Sequence, residues 1–179
     1  KNNMQIISSL LRLQSGQIKN EKMQDMFRIS QDRIRSMALI HDMFYRSEDF
    51  AEVDFAKYVG KLVDYLKETY IHNTNELEIQ THLEDVFLDL NSAVPCGLIL
   101  NELITNAMNH AFPEGEKGII HIELRLKKDK KRELLLTDNG VGFPPEVDFR
   151  NPKTLGLTLV HNLVHQLDAT IECNTKHGV

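Results

Sequence analysis

The residues best suited to chemistry in this 179-residue chain lie in its second half. Glu102, Asn106 and His110 recur at every fourth position of an apolar helical pattern, so they share one face, each about 6 Å further along the axis. A carboxylate beside a carboxamide is an oxygen-donor array of the kind magnesium accepts, the metal keeping waters and substrate phosphates as its other ligands. The same stripe also fits an ordinary solvated helix face. Further on, Asp138-Asn139-Gly140-Val141-Gly142 follows the apolar strand Leu134-Leu135-Leu136. A strand ending on an acid and two glycines sets a carboxylate at a sheet edge, beside backbone free to take unusual dihedrals. Such an acid can accept a hydrogen bond from an exocyclic amine like that of adenine; a plain Asp-Asn-Gly turn is the competing reading. Gly156 opens another helical stretch, where a glycine lets N–H groups approach phosphate oxygens and the helix dipole favours their charge. Between these segments, residues 142–154 carry Phe143, Pro144, Pro145 and Phe149 without periodicity and have the length of a lid. Each piece is weak singly. Their order is much stronger.

The elements needed to position these groups follow from the patterning. Met4, Ile7, Leu10, Leu11 and Ile18, then Met23, Met26, Phe27, Ile34, Met37, Ile40, His41 and Phe44, recur at spacings of three and four. The polar stretch around Ser15-Gly16 and Lys19 to Lys22 predicts a turn between two amphipathic helices. A hairpin of this kind has an apolar face that one copy cannot cover, which predicts a four-helix bundle formed by homodimerisation. Arg46 to Asp49 reads as a linker. Asp54 is placed to cap a third helix that buries Phe55, Val59, Leu62, Val63 and Leu66. Glu76 to Leu83 alternates as a strand, with Leu77, Ile79, Thr81 and Leu83 on one side. A helix is expected from about Ser92, with Pro95 in its first turn and Leu100, Leu103, Ile104, Ala107 and Ala111 facing a sheet. Gly118 to Leu126 and Glu133 to Thr137 read as strands joined by the basic turn Lys127 to Arg132, followed by a helix over Gly156 to Leu167 and a short strand over Thr170 to Cys173. The fold class is α+β: a helical hairpin over 1–48, then an α/β sandwich over 49–179 with helices on one face of a mostly antiparallel sheet.

Composition narrows the partners. A net charge of −5 argues against a protein that coats nucleic acid, while leaving room for a local polyphosphate site, whose charge magnesium offsets. Cys96 and Cys173 form no CxxC pair, so they read as packing residues in a reducing, cytoplasmic setting. No apolar run is long enough to cross a bilayer. The start on Lys1, inside a helical pattern, predicts a fragment of a longer protein and leaves that protein's membrane status open. His41 reads as a packed or interface histidine. His72, His82, His121, His161 and His165 suggest no metal pairing.

The sequence of segments around Asn101-Glu102-Leu103-Ile104-Thr105-Asn106, Asp138-x-Gly140-x-Gly142 and Leu155-Gly156-Leu157 resembles the N, G1 and G2 boxes of the GHKL ATPase superfamily. Lys1-Asn2-Asn3-Met4-Gln5, Ala38 to Asp42, and Leu98 to Phe112 are similar to sensor histidine kinases whose dimerisation helix reads His-Arg-x-Lys-Asn-Asn. That resemblance implies an ATP-Mg2+ site in which Asn106 holds magnesium and Asp138 recognises the adenine amine. Gly140, Gly142 and Gly156 would let the lid close, with Thr154 and Leu157 flanking the phosphates and His110 near phosphate or ribose. Glu102 would stand where relatives place the acid that helps the metal or polarises the attacking group. It further implies transfer of the γ-phosphoryl group to a histidine three residues upstream of Lys1, then to an aspartate on a response regulator receiver domain. Two departures stand out: Asn109 where many relatives carry lysine, and His177-Gly178-Val179 where a Gly-Thr pair is usual. Two alternatives accompany this reading: a dimeric nucleotide-sensing scaffold with little transfer activity, and a GHKL serine kinase of the anti-sigma type.

Overall fold

The computed structural model describes residues 2–15, 18, 20–46, 52–70, 77–113, 117–129, 131–144 and 147–174. Helices α1 (Asn2–Ser15) and α2 (Glu21–Arg46) form the expected hairpin. Asn20 starts α2, its side-chain oxygen accepting from the Met23 N–H at 3.0 Å, the bond that makes asparagine a good N-cap. Most of the expected linker, residues 47–49, lies outside the described residues.

Strand β1 (Val53–Asp54) leads into α3 (Phe55–Tyr70). Asp54 caps α3 as expected, its carboxylate accepting from the Lys57 N–H at 2.9 Å. The buried side of α3 is Phe55, Tyr58, Val59, Leu62, Val63 and Leu66. Strands β2 (Leu77–Leu83) and β3 (Phe87–Leu88) precede the long helix α4 (Leu90–His110); β4 (Gly118–Leu126), β5 (Arg132–Asp138) and α5 (Leu155–Gln166) follow. Along β2 the alternation is incomplete: Ile79 is buried but Thr81 is exposed.

The larger sheet has the order β2-β4-β5. Strand β2 runs parallel to β4, with Leu77 opposite Gly118, and β4 runs antiparallel to β5, with Ile120 opposite Asp138. Strands β1 and β3 form a separate antiparallel pair. The larger sheet is therefore mixed rather than mostly antiparallel. The reason is the intervening α4, a crossover long enough to bring the chain back for a parallel pairing.

The start of α4 and the segment after α5 differ most from expectation. Helix α4 starts before Ser92, because Asp89 is its N-cap and accepts from the Ser92 N–H at 3.0 Å. Pro95 then sits beyond the first turn, where its missing N–H deprives the Asn91 carbonyl of its helical donor. Thr170 to Cys173 form no strand. The chain leaving α5 turns at Asp168 (φ 50°), and the Ala169 N–H bonds back to the Val164 carbonyl at 3.1 Å. Ile171 packs on α4 and α5, and no ladder partner meets this segment among the described residues.

The main core lies between the sheet, through Ile79, Ile120, Ile122 and Leu124, and helices α3 and α4. Ile40 of α2 is fully buried in that core, so the hairpin is docked on the sandwich. A second cluster, Ile99 with Val160 and Leu163, joins α4 to α5. Leu103 packs in this second cluster, not on the sheet as expected.

Candidate nucleotide site

Helix α4 carries the site along its length. Glu102 is not on a solvated face: it is 3% exposed, and Arg33 of α2 holds both its oxygens. Arg33 Nε donates to Oε1 and Nη2 to Oε2, each at 2.7 Å, the fork geometry that makes arginine–carboxylate pairs strong. The pairing drives the guanidinium further above its ordinary value. Asn106, one turn on, is half-buried, and His110 is exposed.

Gly156 is brought to the same place. A Cβ there would lie 2.8 Å from Glu102 Oε2, which Arg33 holds in place, so glycine lets the start of α5 come this close to the carboxylate, with Asn106 Nδ2 in ordinary contact at 4.0 Å. Thr154, the N-cap residue of α5, makes no side-chain capping bond, which leaves the first-turn N–H groups as donors for an anion. Leu157 is 3% exposed, so any part it takes in binding falls to its main chain.

The end of β5 meets the other end of α4. The Val141 N–H donates to the Ala111 carbonyl at 2.9 Å, and a Cβ on Gly140 would drive into that carbonyl. Asp138 is buried, one of its oxygens accepting from the Gly140 N–H at 2.9 Å. Asn139 is tied to β4, accepting from the Ile119 N–H at 2.7 Å. Gly142 takes φ 71°, which only glycine adopts cheaply. From Asn106 to Ala111 the helix rises about 7.5 Å, so Glu102, Asn106 and Gly156 at its middle and Asp138 and Gly140 at its end border one elongated region.

The lid residues described lie against α5, with Phe149 ringed by Phe143 at 6.0 Å and His161 at 5.1 Å. Between the lid and residues 171–173 is a cleft of about 600 Å³, lined by Phe143, Phe149, Arg150 and Cys173 among others. Burial and, secondly, the Asp138 carboxylate push the Cys173 thiol up, so the cleft wall is within electrostatic reach of Asp138.

These residues fit a magnesium–polyphosphate ligand in a limited way. Asn106 offers a carboxamide oxygen and α5 offers its uncapped N–H groups, while Glu102 has both oxygens engaged by Arg33. Among the described residues, no group of three or more His, Cys, Asp or Glu side chains is placed to hold a metal. A cation here would rest mainly on Asn106 and on substrate oxygens, as magnesium commonly does. His177, Gly178 and Val179 lie outside the described residues.

Sequence reasoning missed Arg33, Asp32 and Ser36 of α2. The available signal was their place inside the stripe from Met26 to Ile40, where buried charge needs a partner. Asp32 is 2% exposed and accepts from the Tyr65 hydroxyl at 2.7 Å and from Tyr70. Ser36 shares a 2.6 Å hydrogen bond with the Tyr58 hydroxyl.

Comparison with known proteins matches both parts. Residues 1–70 match the family described as histidine kinase, and residues 73–176 match the histidine kinase-like ATPase domain. The chain belongs to the histidine kinases, with a GHKL-type ATPase domain behind a helical hairpin. It is similar to blue-light-activated histidine kinase 2 of Erythrobacter litoralis, 25% identical over 186 residues, covering 99% of this chain and 51% of the relative. It is also similar to the sensor histidine kinase PdtaS of Mycolicibacterium smegmatis, 29% identical over 173 residues, covering 96% of this chain and 34% of the relative. The chain thus spans about half and about a third of these relatives. The solved histidine kinase domain of Erythrobacter litoralis EL346 shares the fold, with a TM-score of 0.72 at 18% identity over 97% of this chain and 91% of that one. No helix among the described residues is long and apolar enough to cross a membrane.

Proposed function

We propose that this chain is the ATP-dependent, autophosphorylating core of a sensor histidine kinase. The observation that carries the reading is the convergence of Asn106, Glu102 and Gly156 on the middle of α4, with Asp138 and Gly140 closed onto its end. Asp138 accepts from the adenine amine, and Gly140 lets its loop lie against Ala111. The first turn of α5, over Leu155-Gly156-Leu157, holds phosphate oxygens. Gly142 and Thr154 bound the lid that excludes water, and His110 stands at the exposed rim toward ribose or phosphate. Asn106 is the metal ligand; magnesium, when bound, neutralises charge on the transferring phosphates. Glu102, once released from Arg33, helps Asn106 hold the metal or polarises the attacking group.

The acceptor is a histidine upstream of Lys1, for relay to a response regulator aspartate, and transfer depends on positioning rather than covalent chemistry by the protein. Two copies pair through the hairpin, in the cytoplasm. We place the domain boundary at 48/49, so that β1 and α3 go with α4 and the sheet, whose core Ile40 of α2 also enters.

Isothermal titration should show magnesium-dependent ATP binding by this chain. Asp138→Asn should weaken ATP at least about tenfold more than GTP, a difference of about 1.4 kcal/mol. Equal losses for the two nucleotides would remove the adenine role from Asp138. A His-Arg-x extension before Lys1 should then acquire an acid-labile, base-stable phosphoryl group that Asn106→Ala abolishes.

A further inference from the structure

Helix α2 does more than present an apolar face. Where it crosses α4, the contact joins the buried Ile40 to polar groups, one of which, Arg33, engages the nucleotide site itself. Arg33 takes both oxygens of Glu102, the carboxylate that also lies against the Gly156 position. Ser36 ties α2 to Tyr58 of α3, and Asp32 takes the hydroxyls of Tyr65 and Tyr70. Arg33 therefore sits on an anchored helix, and its backbone shifts only if α2 moves with it.

The docked seam is also incompletely satisfied. Asn101 is 1% exposed, and neither atom of its carboxamide has a hydrogen-bonding partner among the described residues. At about 100° per residue, Asn101 lies between Gly97 and Glu102 around α4. Those two positions are where α2 touches, Gly97 against Ile40 and Glu102 against Arg33. A buried amide left without partners is costly and regains water when the seam opens. Beside the buried Ile40, the seam thus holds one strong charge pair and one unmet polar group, and it is this polar part that a competing ligand can release.

We propose that α2 is a clasp on the nucleotide site: Arg33 and magnesium-bound ATP compete for Glu102, so that nucleotide binding and release of α2 from α4 are coupled. This rests on the reading of the site as an ATP site. Coupling is reciprocal, so weakening the clasp tightens the nucleotide.

The test uses the full chain and Mg-ATP. Arg33→Gln should tighten Mg-ATP about five- to tenfold, within the usual range of coupled sites. Ser36→Ala, which leaves Arg33 and Glu102 intact, should tighten it by a smaller factor and guards against misfolding of the first variant. In the wild type, the Arg33 Nε–H resonance should be protected from solvent exchange without nucleotide and lose that protection on Mg-ATP. Weaker binding by Arg33→Gln would make Arg33 a phosphate ligand and overturn the clasp. Unchanged affinity in both variants, or a resonance indifferent to Mg-ATP, would overturn it as well. Wild type that binds while the variants fail to tighten refutes the clasp alone. Absence of binding in all three refutes the ATP site beneath it.

Discussion

The two parts of the hairpin distribute their side chains in opposite ways, and each departs from the ordinary rule. Toward the turn, apolar residues face water: Ile6, Ile7, Leu10, Leu13, Met23 and Met26 are all about half exposed or more. Further along α2, three charged or polar residues are inside: Asp32 is 2% and Ser36 1% exposed, and Arg33 is largely covered. Scattered exposed apolar side chains need no explanation, but a contiguous set on one hairpin marks a surface that meets a partner. Buried charge persists only when paired, and here the pairs are made within the chain. One region is the surface proposed to meet a second copy. The other is an interface already closed, and its chemistry makes it conditional.

The largest effect should come from breaking the first region. Leu10→Asp with Leu13→Asp removes two large side chains from the proposed dimer surface and adds two charges to it. Each buried leucine is worth about 1.5–3 kcal/mol, so the dimer should weaken by a factor of about 100 or more. Light scattering should report a monomer while circular dichroism of the sandwich is retained. A double variant that still dimerises would put the partner surface elsewhere and dissolve the contrast between the two regions.

A smaller effect should follow from wedging the second region. Gly97 lies under α2, and a Cβ there would come within 2.5 Å of Ile40 Cδ1 and 2.6 Å of the Tyr58 hydroxyl. Alanine gains about 1 kcal/mol over glycine in a helix interior. Overpacking costs about 1–3 kcal/mol, and the stiff phenol of Tyr58 yields less readily than the end of Ile40. Gly97→Ala should therefore lower stability by about 1 kcal/mol in urea denaturation. A stabilised variant would mean that the seam has slack and that helix propensity decides.

What the sequence made legible follows the range of the interactions involved. The Asp54 cap, the buried face of α3 and the Asp138-to-Gly142 turn are set by neighbours a few residues apart, and periodicity finds them. The pairing of Arg33 with Glu102 joins residues 69 apart, and nothing local signals it. Glu102 consequently read as part of an exposed stripe, when the covering helix comes from the other end of the chain. The parallel pairing of β2 with β4 has the same character, since it depends on how α4 crosses between them. Thr170 to Cys173 has the composition of a strand, but Ile171 is drawn onto α5 and the chain turns at Asp168. In each case tertiary packing overrode a sound local reading.

The smallest expected effect is a pH dependence that sets in only in alkali, and it separates the regions by titration. Burial, then the hydrogen bond to Asp32, pushes the Tyr65 phenol up to about 12 from its ordinary 10.0. Burial also raises Tyr58 and Tyr70, and it lifts the Cys96 thiol to about 11 from 9.0. For an acid whose folded value is raised, the folded state resists ionisation. Its contribution is therefore complete below the unfolded value and is lost as pH rises through the folded one. The window for Tyr65 runs from about pH 10 to about pH 12, with Cys96 entering earlier, from about pH 9. Tyr65 and Tyr70 both hold Asp32, so ionising them places negative charge against a buried carboxylate and should open the seam between α2 and α3. The turn end of the hairpin carries no such group and should stay paired until the sandwich itself unfolds. Tyr65→Phe removes one phenol, which should make the loss of stability between pH 10 and 12 shallower, at the cost of one hydrogen bond near neutrality. Ultraviolet titration of phenolate alongside circular dichroism reads both quantities. An alkaline transition of the same steepness in Tyr65→Phe would show that the seam tyrosines ionise without strain, and that α2 is held by its apolar contacts rather than by the polar row.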